Sequence, residues 1–337
     1  MSLVNEGFSN GPINLDFPFL NRKIYLPSWD QISSDYFFIA GICNGLVCIN
    51  VSRFGWPLIL CNPSTRQFRV VPGARRIWAG VPKLCFDIQW LNFGFGFHPS
   101  ANDYKLIRIV RYFTPTGEDN IRVDLYAMSS ETWSEIDVNK VSLFFRGIDD
   151  FGENDALVEF CGSSASVVLN GVFYWPAIME SDQLVVMSFD MGDEVFRKIR
   201  TPECLDGTWD EIYWQFTELD DKLALVVSRH ESGFDVWVLN ENESSWTNQI
   251  KGVSVPRIAS DMAYGEYSEC TVVGGRNNGE LLVAEHKVSG YIKLFSYDTK
   301  TRQTMDLCFG HVQYESCLYF YTGTLLPVMQ ANEVLLN

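Results

Sequence analysis

The chain has 337 residues, of which 47% are apolar and 20% charged, so it can fold around a sizeable apolar core. Its 26 basic and 42 acidic residues give a net charge of −16, which disfavours nucleic acid and anionic membrane surfaces as main partners and attracts a basic partner. No apolar run approaches the roughly 18–20 residues that a membrane-spanning helix needs.

Five segments along the chain share one pattern, in which an apolar strand, a short polar turn and a large apolar residue opening a second strand follow each other. Each is predicted to form a β-hairpin, because Asn, Asp, Ser, Thr and Gly favour turns between apolar strands. In chain order the segments are Leu58–Pro72, Val123–Asp137, Val186–Pro202, Val236–Ile250 and Leu294–Leu307. Their large closing residues are Phe68, Trp133, Phe196, Trp246 and, as the weakest match, Met305.

A second hairpin is predicted upstream of four of these segments. Asn-Gly between alternating apolar residues is a strong hairpin signal, because both central turn positions need a positive φ. The predicted turns are Asn44-Gly45, Asn170-Gly171, Asp220-Asp221 and Asn278-Gly279. In the remaining repeat, the predicted inner strand is Asp103–Arg111, where apolar and charged residues partly alternate.

Two linked hairpins make a four-stranded antiparallel sheet, and the closing residues of the outer hairpins recur every 50–65 residues. This interval predicts an all-β fold, a β-propeller-like (kelch-like) repeat of such sheets. We expect six or seven blades. A pair of β-sandwiches is the alternative architecture, but it would not require a regular interval between hairpins.

The nine cysteines are scattered and never form a CxxC pair. We interpret them as reduced thiols that act as small hydrophobes in an intracellular chain. The N-terminus lacks the basic start and apolar core of a secretory signal. The expected location is therefore the cytoplasm, with the nucleus as a second location.

Catalytic and metal-binding motifs are sparse. The four histidines lie far apart, and no Cys/His pair has the spacing of metal ligands. Gly94-Phe95-Gly96 is only a fragment of a dinucleotide-binding motif, and close strand packing explains it better. No catalytic residue, metal or cofactor is predicted, and a propeller enzyme of the glycosidase or oxidase type is kept as an alternative.

Candidate protein-binding residues lie in the long segments between predicted hairpins, because loops on a rigid scaffold often carry recognition. Segment 73–92 is basic and aromatic, segment 143–161 is acidic, and segment 205–216 mixes tryptophan with acids. Trp and Arg dominate interface hot spots. The candidates are Arg75, Arg76, Trp78, Trp90, Asp149, Asp150, Glu153, Trp209 and Trp214. Four other tryptophans in or beside strands are predicted to be blade core: Trp133, Trp175, Trp237 and Trp246.

A series of motifs in fixed order carries a family resemblance. It includes GICNGLVCI at 41–49, LILCNPSTRQFRVVP at 58–72, FGFGFHPSANDYKLIRIVR at 93–111, VVLNGVFYW at 167–175 and DVWVLNENESSW at 235–246. Over residues 38–328 this order resembles the associated domain of plant F-box proteins. The forms FGFGFHPSANDYK and SFDMGDEVFR are most similar to the S-locus branch of that family.

The resemblance implies the substrate-recognition module of an SCF-type (Skp–cullin–F-box) ubiquitin ligase, which binds a target protein for ubiquitination and proteasomal degradation. Catalysis would belong to other subunits. In the S-locus branch the targets are pistil ribonucleases of self-incompatibility, which are commonly basic and would suit an acidic receptor.

The resemblance also implies three parts of the chain: a linker and first strand at 1–37, the associated domain at 38–328 and a tail at 329–337. The F-box that would precede residue 1 is absent from this sequence. A Skp-type adaptor and a cullin are therefore expected partners only if an F-box lies upstream. A truncated protein that binds targets without delivering them is the second alternative.

Overall fold

The computed structural model describes most of the strands and their turns. The described residues are 2–5, 13–14, 38–50, 58–72, 87–114, 116–117, 119–137, 157–160, 166–179, 183–205, 213–229, 233–240, 245–253, 269–275, 279–286, 291–307, 312–313, 318–321 and 323–328.

These residues form β-strands and one short 3₁₀ helix, Glu203–Leu205. The strands are β1 (Ser2–Asn5), β2 (Ile13–Asn14), β3 (Phe38–Cys43), β4 (Leu46–Asn50), β5 (Leu58–Asn62), β6 (Gln67–Val70), β7 (Asp87–His98), β8 (Asp103–Phe113), β9 (Asp119–Ala127), β10 (Thr132–Glu135), β11 (Leu157–Phe160), β12 (Val167–Leu169), β13 (Val172–Met179), β14 (Leu184–Asp190), β15 (Val195–Arg200), β16 (Tyr213–Leu219), β17 (Lys222–Arg229), β18 (Gly233–Asn240), β19 (Ser245–Val253), β20 (Glu269–Gly275), β21 (Glu280–His286), β22 (Tyr291–Asp298), β23 (Gln303–Asp306), β24 (Val312–Gln313) and β25 (Leu318–Tyr321).

Five sheets share one topology, in which four successive strands pair in chain order. They consist of β3–β6, β7–β10, β11–β15, β16–β19 and β20–β23, and we number them one to five. In sheet three, β11 and β12 both pair with β13, so the first strand is in two pieces. In sheet five, β24 also pairs with β22. A separate three-stranded sheet has the order β2-β1-β25, with β1 parallel to β25.

The all-β prediction and the repeat of four-stranded antiparallel sheets are confirmed. The prediction of six or seven blades is wrong, because the described residues form five sheets of this topology. Each sheet uses one of the five outer hairpins recognised in the sequence. The other described strands either extend one of these sheets or join the three-stranded sheet. The number of outer hairpins therefore equals the number of blades.

Local turn chemistry explains why the inner hairpins form where they were predicted. Asn44 and Gly45 have φ values of 49° and 73°, and Asn170 and Gly171 have values of 49° and 83°. Both pairs thus occupy the left-handed region that a two-residue hairpin turn requires. Asp220-Asp221 does the same at 50° and 58°, because a short polar side chain tolerates this conformation. Asn278 lies outside the described residues.

The chain divides into two compact units. The first unit comprises residues 1–15, 182–186 and 198–321; the second comprises 16–181, 187–197 and 322–337. In the first unit, sheets four and five enclose an apolar cluster that includes Phe234, Val283 and Phe295. In the second unit, sheets one and two enclose a cluster that includes Leu60 and Phe95.

Glycines in the first strands allow neighbouring sheets of a unit to approach closely. An ideal Cβ at Gly94 would lie 2.6 Å from Cδ1 of Phe173, and one at Gly96 would lie 2.4 Å from Cγ1 of Val168. At Gly41 the Cβ would lie 2.8 Å from the backbone nitrogen of Phe95. No side chain fits at these positions without displacement. The interpretation of Gly94-Phe95-Gly96 as a close-packing strand is therefore confirmed.

Trp175 completes the contact at Gly94. Its side chain is buried, stacks on Phe173 with ring centroids 5.4 Å apart, and donates from Nε1 to the backbone carbonyl of Phe93 at 2.8 Å. The prediction of a core role for Trp175 is thus confirmed. This hydrogen bond holds the indole ring next to Gly94, where glycine leaves room for the ring because it has no side chain.

Gly94→Ala is expected to destabilise the protein by about 1–3 kcal/mol, as overpacking does, because the added methyl group would overlap Phe173 and Trp175. Urea unfolding followed by circular dichroism measures the change. The Gly94→Ala/Phe173→Leu double variant should lose less stability than the two single changes added together. Additive losses would show that the Cβ at position 94 does not meet Phe173.

Two other tryptophans join neighbouring sheets instead of filling a sheet's core. Trp133 in β10 donates from Nε1 to the carbonyl of Pro72, just after β6, at 2.8 Å. Trp246 in β19 donates to the carbonyl of Arg200, the last residue of β15, at 2.7 Å. Both rings are half-buried, as is that of Trp237. The prediction of blade core for these three is thus wrong in part: they pack against the apolar clusters, but at their margins.

Trp133→Phe keeps a ring at the site but removes the N–H donor, so we expect a loss of about 1 kcal/mol. Trp133→Ala also removes the packing on Tyr126, whose ring centroid is 5.2 Å away, and should cost roughly 3 kcal/mol. Chemical denaturation of both variants provides the measurement. An equal loss in the two variants would mean that the ring contributes nothing beyond its hydrogen bond.

Candidate protein-binding site

The strands of each of the five sheets begin and end at two opposite sides of the sheet, and we call these two sides its edges. Since successive strands run antiparallel, the first and third strands begin, and the second and fourth end, at the same edge. We call this the entry edge, and in sheet two it consists of Asp87, Phe113, Asp119 and Glu135. The opposite turn edge carries the turns within the two hairpins. All connections from one sheet to the next therefore leave from and arrive at entry edges.

Two turns at the turn edges, in sheets three and five, are closed by internal hydrogen bonds. In sheet three, Oδ1 of Asp190 accepts from the backbone N–H groups of Gly192 and Asp193 at 2.8 and 3.0 Å. In sheet five, Oδ1 of Asp298 accepts from Lys300 and Thr301 at 2.8 and 3.1 Å. These backbone bonds to the exposed carboxylate lower the pKa of Asp298. The turn edges thus leave little chain free for variable contacts.

Seven of the nine predicted binding residues lie outside the described residues: Arg75, Arg76, Trp78, Asp149, Asp150, Glu153 and Trp209. Their positions in the chain are nevertheless informative. Residues 73–86 connect the end of β6 to the start of β7, residues 138–156 connect sheets two and three, and residues 206–212 connect sheets three and four. Each of these segments therefore begins and ends at an entry edge.

Trp90 and Trp214 lie in strands, so the prediction that they are loop residues is wrong. Trp90 is in β7, opposite Arg111, and Trp214 is the second residue of β16, opposite Val227. The strands extend further upstream than predicted because aromatic and aliphatic residues continue there and pair with β8 and β17. Both tryptophans still lie near the entry-edge end of a first strand.

Trp214 belongs to an aromatic face on sheet four. Trp214, Phe216, Trp237 and Trp246 are half-buried and pack against the buried residues Leu205, Leu225 and Val227. The rings of Phe216 and Trp246 stack with centroids 6.5 Å apart. By the strand register, Asp235 lies opposite Val227 and hence on the same face, near the entry edge. The face therefore combines partly exposed aromatic rings with the buried side chain of Asp235.

A charged array in the middle of sheet two, extending to Glu135 at the end of β10, was missed by the sequence analysis. Nη2 of Arg108 lies 2.6 Å from Oδ2 of Asp124, and both side chains are almost fully buried. Arg122 bridges Oδ1 of Asp124 at 2.9 Å and Oε2 of Glu135 at 2.7 Å. The Arg108 guanidinium also lies over the Trp133 ring, 5.6 Å from its centroid. The sequence does show charged residues at core-facing positions of the segments that form β8 and β9. However, only the strand register shows that Arg108 lies opposite Asp124.

Removing Arg108 would take the counter-charge from Oδ2 of the buried Asp124 carboxylate and leave only Arg122, at Oδ1, to compensate it. Arg108→Met is therefore expected to cost about 3–5 kcal/mol, whereas Arg108→Met/Asp124→Leu should recover much of this loss. Glu135→Ala is the matched control, because its carboxylate is 44% exposed and should contribute less than about 1 kcal/mol. Equilibrium unfolding tests all three, and an equally large loss in Glu135→Ala would contradict the role of burial.

No arrangement typical of an enzyme emerges from the part of the chain that the structure describes. Among those residues, no three His, Cys, Asp or Glu side chains are grouped to hold a metal ion, and no helix is long and apolar enough to cross a membrane. Burial raises the pKa of the Cys61 thiol to about 12 and raises that of Cys48 as well. Neither thiol is a ready nucleophile, and both fill the core as small hydrophobes, as predicted.

Antiparallel sheets with a shared topology, joined through one type of edge, are the architecture of a β-propeller that binds through its loops. Residues 26–323 match the family model described as F-box associated beta propeller domain, and the chain belongs to this family. The propeller prediction and the resemblance to F-box proteins are thus confirmed.

Several relatives are named F-box proteins. F-box protein At3g07870 of Arabidopsis thaliana is 26% identical over 318 residues, covering 86% of this chain and 70% of the relative. F-box/kelch-repeat protein At3g23880 and F-box protein CPR1, also from Arabidopsis thaliana, are 23% and 25% identical, and the matches cover 55% and 54% of their lengths. The chain therefore spans between about half and 70% of these relatives. Among solved structures, Hadza microbial sialidase Hz136 is 11% identical, with 84% of this chain and 61% of that chain covered and a TM-score of 0.47.

Proposed function

We propose that this chain is the substrate-recognition module of an SCF-type ubiquitin ligase and does not itself catalyse a reaction. The observation that carries the proposal is the match of residues 26–323 to the F-box associated propeller family, together with relatives that are named F-box proteins. In this role the domain holds a target protein for ubiquitination and degradation. Contact with a Skp-type adaptor and a cullin belongs to an F-box preceding the domain.

The connections at the entry edges are the proposed target-binding segments. The entry edges receive the long connections between sheets, which carry all of the sequence-predicted residues outside the strands. At the turn edges of sheets three and five, in contrast, Asp190 and Asp298 already accept hydrogen bonds from within their own short turns. Trp214 supports the proposal from the described residues, because it is half-buried on the aromatic face, near an entry edge, where it can act as an anchor.

Charge supports a basic target. The net charge of −16 raises the local concentration of a basic protein and speeds its association. The predicted acidic cluster Asp149, Asp150 and Glu153 lies in a segment that joins two entry edges. A basic ribonuclease of self-incompatibility is the specific target class that we propose for these segments. The proposed location is the cytoplasm, and the nucleus as well.

Affinity purification of the endogenous protein from its own tissue, followed by mass spectrometry, tests the ligase role. The proposal predicts co-purification of a Skp-type adaptor and a cullin, peptides from a preceding F-box, and at least one basic target protein. A chain without an F-box, recovered without adaptor or cullin, would contradict the ligase role for this form. It would favour a binding protein that does not deliver its target.

The Arg75→Ala/Arg76→Ala/Trp78→Ala variant is expected to weaken binding of the captured target at least about tenfold, because hot-spot residues carry most of an interface's energy. Its melting temperature should stay within about 2 °C of the wild type, because the proposal assigns these side chains to target binding and not to packing. Lys300→Ala, in the exposed turn at the turn edge of sheet five, is the control and should bind normally. Normal binding by the triple variant would remove these residues from the site, and loss of both fold and binding would make them structural.

A further inference from the structure

Residues 323–328, which we call the C-terminal strap, follow β25 and are held against sheet one within the second unit. Nδ2 of Asn62 donates to the carbonyl oxygens of Thr324 and Leu326 at 3.1 and 2.6 Å. The N–H of Val328 donates to Oε1 of Gln67 at 3.3 Å, and the Val328 side chain joins the apolar cluster of sheets one and two. The strap is therefore attached at three backbone positions and one side chain.

Asn62 is fully buried, and all four hydrogen-bonding positions of its amide are used. Its Oδ1 accepts from the backbone N–H groups of Ser64 and Thr65 at 2.9 and 3.3 Å, while Nδ2 makes both bonds to the strap. Two donors face the oxygen and two acceptors face the nitrogen, so the orientation of the amide is determined by its partners. One side chain thus closes its own turn and holds the strap.

Two aspartates occupy the corresponding turn position in sheets three and five. Asp190 and Asp298 each accept from two backbone N–H groups, as Oδ1 of Asn62 does. A carboxylate is sufficient there, because the turn requires only an acceptor. At position 62 a carboxylate would face the carbonyls of Thr324 and Leu326 with no proton to donate. The amide at position 62 therefore makes two contacts with the strap that closing the turn does not require.

The strap itself is weakly buried. Leu325 is 87% exposed and Leu326 is 43% exposed, whereas Val328 is only 8% exposed. A segment with one buried side chain and a few polar attachments belongs to the low-stability end of a folded protein, where local opening precedes global unfolding. Opening of the strap would uncover the apolar position of Val328 while the hairpins of sheet one keep their own backbone pairing.

We propose that the C-terminal strap is a releasable conformational element, closed by the Asn62 amide and the Val328 side chain. In the closed state its Val328 side chain occupies a buried site in the apolar cluster of sheets one and two. In the open state it detaches locally, the two strap carbonyls become hydrated, and the buried site of Val328 becomes accessible.

Hydrogen exchange measured by mass spectrometry on the whole chain tests the proposal. Asn62→Asp should speed exchange of a peptide covering residues 323–328 by about tenfold or more, because two donors to the strap are lost and a charge replaces them. Val328→Ala, in which Asn62 is kept, should also speed exchange of the same peptide. Peptides from sheets four and five should exchange as in the wild type in both variants.

Asp298→Asn is the matched control, since an amide can still accept the two turn N–H bonds at that position. It should leave the strap unchanged. Strap exchange at the wild-type rate in Asn62→Asp, with faster exchange only in the turn at 62–67, would overturn the proposal and make Asn62 a turn residue alone. Should Asn62→Asp fail to fold, Val328→Ala and Gln67→Ala decide: faster strap exchange in both supports the strap, and unchanged exchange in both overturns it.

Discussion

The constraint on which the structure depends is how closely the first strand of one sheet approaches the next sheet within a unit. At Gly41, Gly94 and Gly96 the adjacent sheet lies so close that even a methyl group would meet it at 2.4–2.8 Å. This proximity brings the buried ring of Trp175 onto the backbone of Phe93. In the fourth strands of sheets two and four, the indole N–H groups of Trp133 and Trp246 donate to the carbonyls of Pro72 and Arg200. Glycines in the first strands and tryptophans in the fourth strands therefore both take part in the packing of the sheets.

Turn chemistry made much of this fold predictable from the sequence. Asn44-Gly45 and Asn170-Gly171 need no tertiary context to form hairpin turns, because their positive φ values are a local preference. The four-stranded sheets followed from pairing these hairpins with the outer ones. The number of blades could not be predicted in this way. No local rule states whether an extra strand starts a new sheet or extends an existing one, as β24 does.

The candidate site was less predictable because it depends on cross-strand register. The long segments were found from their composition, but the strand positions of Trp90 and Trp214 follow from pairing with β8 and β17. The Arg108–Asp124 pair likewise joins residues on different strands. Neither residue can be recognised as part of a buried ion pair until the strands are paired. Asn62 resembles the other turn residues in sequence, and its second role appears only when residues 323–328 are placed beside it.

The central claim is that the sheets act as a rigid scaffold and that the connections at their entry edges bind the target. A hydrogen-exchange footprint of the protein with and without its captured target tests this most directly. The account predicts protection in peptides covering 73–86, 138–156 and 206–216, with the hairpin turns at 62–67, 190–195 and 298–303 unchanged. Protection confined to those turns, with the connections between sheets unaffected, would contradict it.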